Sequence, residues 1–311
     1  METRRPTSLI LAAFITSVLF GGLNAIGVRY TVMELSPSWG ATLRFTPAAL
    51  LLFLISWALR LPLPKGRSLR GAIYFGLLNF GASYVFLYWG LQRVQPGLAQ
   101  VIMALVPLLT LFFAIAHGQE SFHWRPMLGA ILAMGGITVV FGEQLSADVP
   151  FTSLMAVVLG SACMAESAVL IKKYPQSHTI TTNAIAMLAG AVLLFIMSLL
   201  WREPWALPAL PATWVALAYL ILFGSCVTFI LYLFVLKQWT ASATAYGFVL
   251  LPFVTIAASS WLTGETVTFT YLAGGALVLL GVYIGALASS KKYKRPIASA
   301  VSAPSPTAEG D

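Results

Sequence analysis

Residues 103–142 read MALVPLLTLFFAIAHGQESFHWRPMLGAILAMGGITVVFG, and residues 248–287 read FVLLPFVTIAASSWLTGETVTFTYLAGGALVLLGVYIGAL. The two stretches align without a gap at an offset of 145 residues (252 minus 107), placing Pro107 over Pro252, Glu120 over Glu265, Gly129 over Gly274 and Gly136 over Gly281. Upstream, one register earlier, Tyr88 matches Tyr232 and Arg93 matches Lys237. Apolar matches between membrane helices carry little weight because such helices share a composition. Coincidences of Pro, Glu and Gly at one spacing carry much more. The chain is therefore read as one unit written twice.

Working outward, each copy sits in a run of long apolar segments. Of 311 residues, 59% are hydrophobic and only 9% charged, with a mean hydropathy of +0.86. A soluble domain carries about one quarter charged residues, so this chain could not cover a water-facing surface. Lipid offers a backbone no hydrogen-bond partner, and unbroken apolar runs must coil into helices there; a β-barrel would alternate instead. A span needs about twenty such residues. Counting gives ten candidates: 8–28, 38–59, 70–92, 96–116, 124–142, 151–171, 179–201, 212–236, 241–262 and 268–290. The fold class is all-α integral membrane, ten helices as two five-helix repeats (1–145 and 146–290), followed by a disordered tail, 291–311. Five is odd, so the second repeat enters the membrane from the opposite side. Inverted repeats suit secondary transporters, because either half can open while the other closes around a site between them.

Charge sets the orientation. Of 18 Lys and Arg, Arg29, Arg93 and Arg202 fall on one side and Arg44 within a span, leaving fourteen on the side of the N-terminus. The positive-inside bias predicts both termini in the cytoplasm and a place in the inner membrane. The net charge of +8 is scattered singly at helix ends, which argues against a nucleic-acid partner. The run after Arg4 and Arg5 is long and lacks a cleavage site, so it reads as an uncleaved first span. Cys163 and Cys226 both fall inside spans and form neither a disulfide framework nor a metal site.

The double pattern P-x11-GE-x8-G-x6-G, with Gln119 for the Gly in the first copy, resembles the EamA family of the drug/metabolite transporter superfamily. FGGLNAIGVRY is similar to that family's first span, and TLRFTPAALLLF around Arg44 to its second. The resemblance covers nearly the whole chain. It implies a carrier without bound cofactor whose partners are a small-molecule substrate and the bilayer. The family often has Trp-Gly where this chain has Gly21-Gly22.

Several residues stand out as substrate-binding candidates. Glu166 is the acidic residue well inside a span: either a proton site or cation contact, or a group held by Lys172, Lys173 or water near the inner helix end. Arg44 is the basic one: either its stem snorkels outward toward Glu34, or it anchors an anionic group. Its depth differs from that of Glu166 by roughly 13 Å, so the two should not pair. Asn79 and Ser83, four apart, share a face that looks into a cavity or bonds a neighbouring helix. Asn24, Gln100 and Tyr246 are further polar candidates; Tyr88, on one face with Tyr84, is either binding or packing. Pro107 and Pro252 remove backbone hydrogen bonds mid-span and predict matched, gating kinks. Glu120 and Glu265 are read as loop anchors, and Gly281 with Gly285 as a close helix contact, within a monomer or in a weak homodimer.

These features favour some functions over others. His117, His123 and His178 fall in loops, and the two aspartates are Asp148 and Asp311, so no span carries a metal cluster, a nucleophile with its base or a carboxylate pair. An enzyme is not expected, nor a catalytic or metal site. A channel would want a ring of like groups or a filter loop. The reading is a secondary transporter exporting small amphipathic, amino-acid-like metabolites. The alternatives are an uptake carrier for a sugar or other neutral metabolite and, outside transport, a channel or membrane scaffold.

Overall fold

The helices begin where the sequence supplies a start signal and end where polarity returns. In a computed structural model, which describes residues 8–120, 149–262 and 269–284 with scattered positions between 124 and 139, these are α1 (Ser8–Gly22 and Asn24–Val32), α2 (Pro37–Ala58), α3 (Gly66–Leu91), α4 (Pro96–Ala116), α5 (Phe151–Ile171), α6 (Thr179–Leu200), α7 (Pro211–Gln238), α8 (Ala241–Ala245 and Gly247–Leu262) and α9 (Phe269–Val282). Proline opens α2, α4 and α7 at the first turn, where its missing N–H has no partner to lose. Helices α1 to α7 are long and apolar enough to cross a membrane, while α8 and α9 contain shorter apolar stretches. No strand occurs among the described residues. Most of the expected span 124–142, together with His123, Asp148, Glu265, Gly285 and the tail 291–311, lies outside them.

Helices α1 to α4 have α5 to α8 as their counterparts in the second repeat, and their pairings are exchanged symmetrically. Helix α3 packs on α5 as α7 packs on α1, and α4 packs on α5 as α8 packs on α1. Two counterpart pairs, α2 with α6 and α4 with α8, pack on each other. The direction of α2 and α6 follows from hydrogen bonds at their ends. Ser38 and Trp39, at the start of α2, donate their N–H groups to the Glu203 carboxylate just beyond α6 (3.2 and 2.9 Å). Thr181, at the start of α6, donates its hydroxyl to the Pro62 carbonyl beyond α2 (3.0 Å). The counterparts therefore run antiparallel. Beyond their last turns, Arg60 (φ 50°) and Arg202 (φ 53°) adopt the same left-handed backbone.

Inside this frame the counterparts α3 and α7 each contain a wide π turn, Leu77–Ala82 and Leu220–Val227. Such turns bond i to i+5, and they re-aim side chains and carbonyls that a regular helix would bury against its own axis. Helices α4 and α8 are each interrupted on the N-terminal side of their proline. The chain turns at Ala104–Leu105, just before Pro107, and at Tyr246, well before Pro252. Pro107 stands at the start of a new helical segment, where it is tolerated without bending anything further. Among the close contacts, a Cβ on Gly136 would lie 2.6 Å from the Gly274 carbonyl oxygen, so the small residues of the repeated motif are used within the chain.

Candidate functional site

Where the two halves meet, α1, α2, α3, α4, α5, α7 and α8 surround a central cavity of about 90 Å³. Its walls are mostly apolar and aromatic. Edge-on ring pairs, Phe45 with Tyr84 and Phe80 with Phe229, both 4.6 Å between centroids, brace one side. Five of the residues singled out from the sequence line it: Asn24, Arg44, Asn79, Tyr88 and Gln100.

Arg44 is fully buried. Its Nε donates to the Ser225 hydroxyl (2.8 Å) and its Nη2 to the Gly224 carbonyl (2.9 Å), both in the π turn of α7. The guanidinium carbon lies 4.8 Å from the Phe45 ring centroid and 5.1 Å from that of Tyr84. The outward, snorkelling course toward Glu34 is therefore not taken. Glu34 instead accepts the backbone N–H groups of Ala209 and Leu210 ahead of α7. The hydroxyl of Thr213 and those two N–H groups hold its carboxyl below the usual carboxylate range, against desolvation. What draws Arg44 inward is a carbonyl freed for side-chain donors and two ring faces. Gly224 makes room for this: a Cβ there would sit 2.1 Å from Asn24 Oδ1 and 3.4 Å from Arg44 Nη2.

Asn24 donates Nδ2 to the same Gly224 carbonyl (3.2 Å). Asn79 accepts from the Ser167 hydroxyl (3.2 Å) through Oδ1. Five polar atoms on the cavity wall are buried without a hydrogen-bond partner: Arg44 Nη1, Asn79 Nδ2, Tyr88 Oη, Asn24 Oδ1 and Gln100 Oε1. Buried polar groups are almost always satisfied, so such a concentration marks a place shaped for something to bind. Ser83 does not join them. It is buried, and its hydroxyl donates to the Asn79 carbonyl four residues back. Tyr246 does not line the cavity either; it sits at the break in α8, packed against the core. Pro252 borders a separate apolar cleft with Val101 and Leu272, and Pro107 lines neither space.

Glu166 stands away from the cavity. It pairs with Nε2 of His117, at the end of α4 (2.6 Å), and Lys173 meets His117 Nδ1 from the other side. Both partners are about one quarter exposed. Sequence spacing gave no sign of His117 as a partner, since 49 residues separate it from Glu166. Nearby, Lys172 donates to the Leu236 and Trp239 carbonyls (2.7 Å each), and burial pulls its ammonium down to about 8 although Glu120 opposes the shift. Glu120 accepts from the Ser242 hydroxyl (2.8 Å) and its carboxyl is pushed up by burial. Among the described residues no three His, Cys, Asp or Glu side chains cluster to hold a metal ion.

The bundle and its cavity define a multi-pass helical membrane protein built from a repeated unit. Residues 8–142 and 151–286 each match the EamA-like transporter family, and the chain belongs to that family. It is 30% identical over 291 residues to the uncharacterized inner membrane transporter YedA of Escherichia coli (strain K12), covering 91% of this chain and 92% of the other. It is 28% identical over 274 residues to the uncharacterized transporter YyaM of Bacillus subtilis (strain 168), covering 85% and 89%. A probable terminal-alkyne amino-acid exporter of Streptantibioticus cattleyicolor is 26% identical over 78% of this chain and 81% of its own. One solved crystal structure superposes with a TM-score of 0.67 at 18% identity, over 92% of this chain and 100% of that one, a likeness in fold.

Proposed function

We propose that this chain is a secondary transporter of the inner membrane that exports small amphipathic organic molecules by alternating access. In this reading ten spans form two inverted five-helix halves and both termini are cytoplasmic. The observation that carries it is the cavity between the halves, walled by apolar and aromatic side chains and furnished with unsatisfied polar atoms from α1, α2, α3 and α4. A small molecule with a polar head and an apolar body fits such a wall. The antiparallel α2 and α6 supply the inversion that lets one half open as the other closes. The similarity to a protein named as an amino-acid exporter supports the direction and the substrate size. Glu166 with His117, partly exposed beside the basic helix ends, is the proton site of this scheme.

Purified protein in proteoliposomes, offered a panel of radiolabelled amino acids and related metabolites, should show saturable flux accelerated by unlabelled compound inside. Current that does not saturate would make it a channel. Glu166→Gln should abolish proton-driven accumulation and spare exchange; accumulation unchanged in that variant removes the proton role.

A further inference from the structure

The cavity contains a single formal charge. Of its lining residues Arg44 alone is ionised, and no Asp or Glu is among them. Arg44 is fully buried and forms no ion pair among the described residues. A guanidinium cannot shed its charge, and leaving a cation uncompensated at depth is costly. The Gly224 carbonyl, the Ser225 hydroxyl and the faces of Phe45 and Tyr84 solvate it partly, but these are dipoles and quadrupoles and bring no negative charge. The scaffold thus holds two edges of the guanidinium in place and leaves a third donor, Nη1, unpaired.

The other open atoms divide by polarity. Arg44 Nη1 and Asn79 Nδ2 offer only donors, and Tyr88 Oη can donate or accept. Gln100 Oε1 and Asn24 Oδ1 are acceptors, and both are neutral amides. From this we infer that Arg44 seats a carboxylate, and that the carrier's substrates are organic acids, zwitterions included, with an apolar body. The acid supplies the missing counterion. The amide oxygens of Gln100 and Asn24 accept a hydroxyl, amide or ammonium elsewhere on the molecule, and the aromatic walls hold the rest. Cations without a carboxylate are repelled, since nothing on the wall opposes a second positive charge. This inference rests on the proposal that the cavity is the transport site.

Four probes of one shape test it: isocaproate, leucine, leucinamide and isocaproamide, titrated onto the full-length protein in nanodiscs by thermal stabilisation and by equilibrium binding. Each acid should bind at least about tenfold tighter than the matching amide, the scale of one charge-assisted hydrogen bond. Arg44→Gln should level that difference, and Arg44→Lys should keep its sign while weakening it, because Lys holds the charge but loses the fork. Leucinamide binding as tightly as leucine, an acid preference that survives Arg44→Gln, or failure of both acids to bind would each overturn the inference. Should Arg44→Gln not fold, the wild-type comparison of acids with amides decides alone. Exchange assays separate this inference from its premise. Saturable exchange of amides as fast as acids leaves the transporter standing and removes the carboxylate seat. Acid-selective binding without exchange of any probe keeps the seat and removes the transport site.

Discussion

Helices α2 and α6 are counterparts, run antiparallel against each other and end alike, with a buried Ser56 or Ser198 whose carbonyl accepts the N–H of Leu61 or Glu203 just past a left-handed Arg60 or Arg202. At the same step from their starts, however, one carries Arg44 and the other Ala186. The neighbouring helices respond to that difference. Against Ala186, helix α3 comes so near that a Cβ on Gly76 would lie 2.2 Å from the Ala186 carbonyl oxygen. Against Arg44, helix α7 is held by hydrogen bonds to the guanidinium, and the cavity opens beside it. One backbone plan thus yields a closed seam in one half and a charged recess in the other. The shared backbone plan leaves the side chains of the two counterparts free to differ.

The largest test of that contrast is Gly76→Val. The seam has backbone on its far side and cannot yield, so the variant should cost about 1–3 kcal/mol or more of stability, seen as a lowered melting temperature and loss of a monodisperse peak. Gly224→Ala, the matching change in the recess, should cost less, because its new neighbours are the tips of Asn24 and Arg44. Its effect should appear as weaker binding of acids. Equal melting temperatures for the two variants would break the comparison.

The next test is the cross-capping at the opposite end. Glu203, from the second half, caps α2, and Glu34, from the first, caps the start of α7. Glu203→Ala should lower stability by about 0.5–2 kcal/mol, the usual worth of an N-cap. Glu34→Ala should lower it less, since its carboxylate binds the loop N–H groups of Ala209 and Leu210 ahead of α7 rather than the first turn of the helix. For Glu34 the sign is that of a depressed carboxyl: its contribution is present above the ordinary carboxylate pKa and fades as pH falls through the folded value. Thermal melts of both variants at neutral and acid pH would show it.

The smallest effect concerns a second pair of counterparts. Arg29 of α1 donates to the Leu91 and Gln92 carbonyls at the end of α3 (2.7 and 2.6 Å), as Lys172, just past α5, donates to Leu236 and Trp239 around the end of α7. Both cations face a helix C-terminus, where the dipole favours them. Lys172 titrates near 8 when folded against an ordinary 10.5, so the unfolded chain binds more protons across that window. Stability should therefore rise from pH 8 toward 10.5 by the Lys172 share, and Lys172→Arg should remove that share of the slope. A slope unchanged in the variant would show that Lys172 is not its source.

Much of this architecture was legible in the linear pattern. The spans 96–116 and 151–171 coincide with α4 and α5, because a proline precedes or opens each and polarity closes it. Five of eight binding candidates meet in one cavity, since a polar side chain in an apolar run has few other places to go. The rest depends on partners far away in sequence. Arg44 turns inward for a carbonyl 180 residues on, which hydropathy cannot express. Ser83 bonds back to the Asn79 carbonyl on its own helix, a choice that spacing alone does not announce. Glu166 found His117 only through the packing of α4 on α5.

The α2–α6 pair lies where the two halves trade places, and that position has a mechanical consequence. If the outward-open and inward-open shapes are the same shape with the halves' roles swapped, a pair that packs on its own counterpart is carried onto itself. It acts as a fulcrum, and its internal geometry needs no revision between the two states. A guanidinium mounted on such a fulcrum would greet cargo from either side of the membrane without having to travel with it.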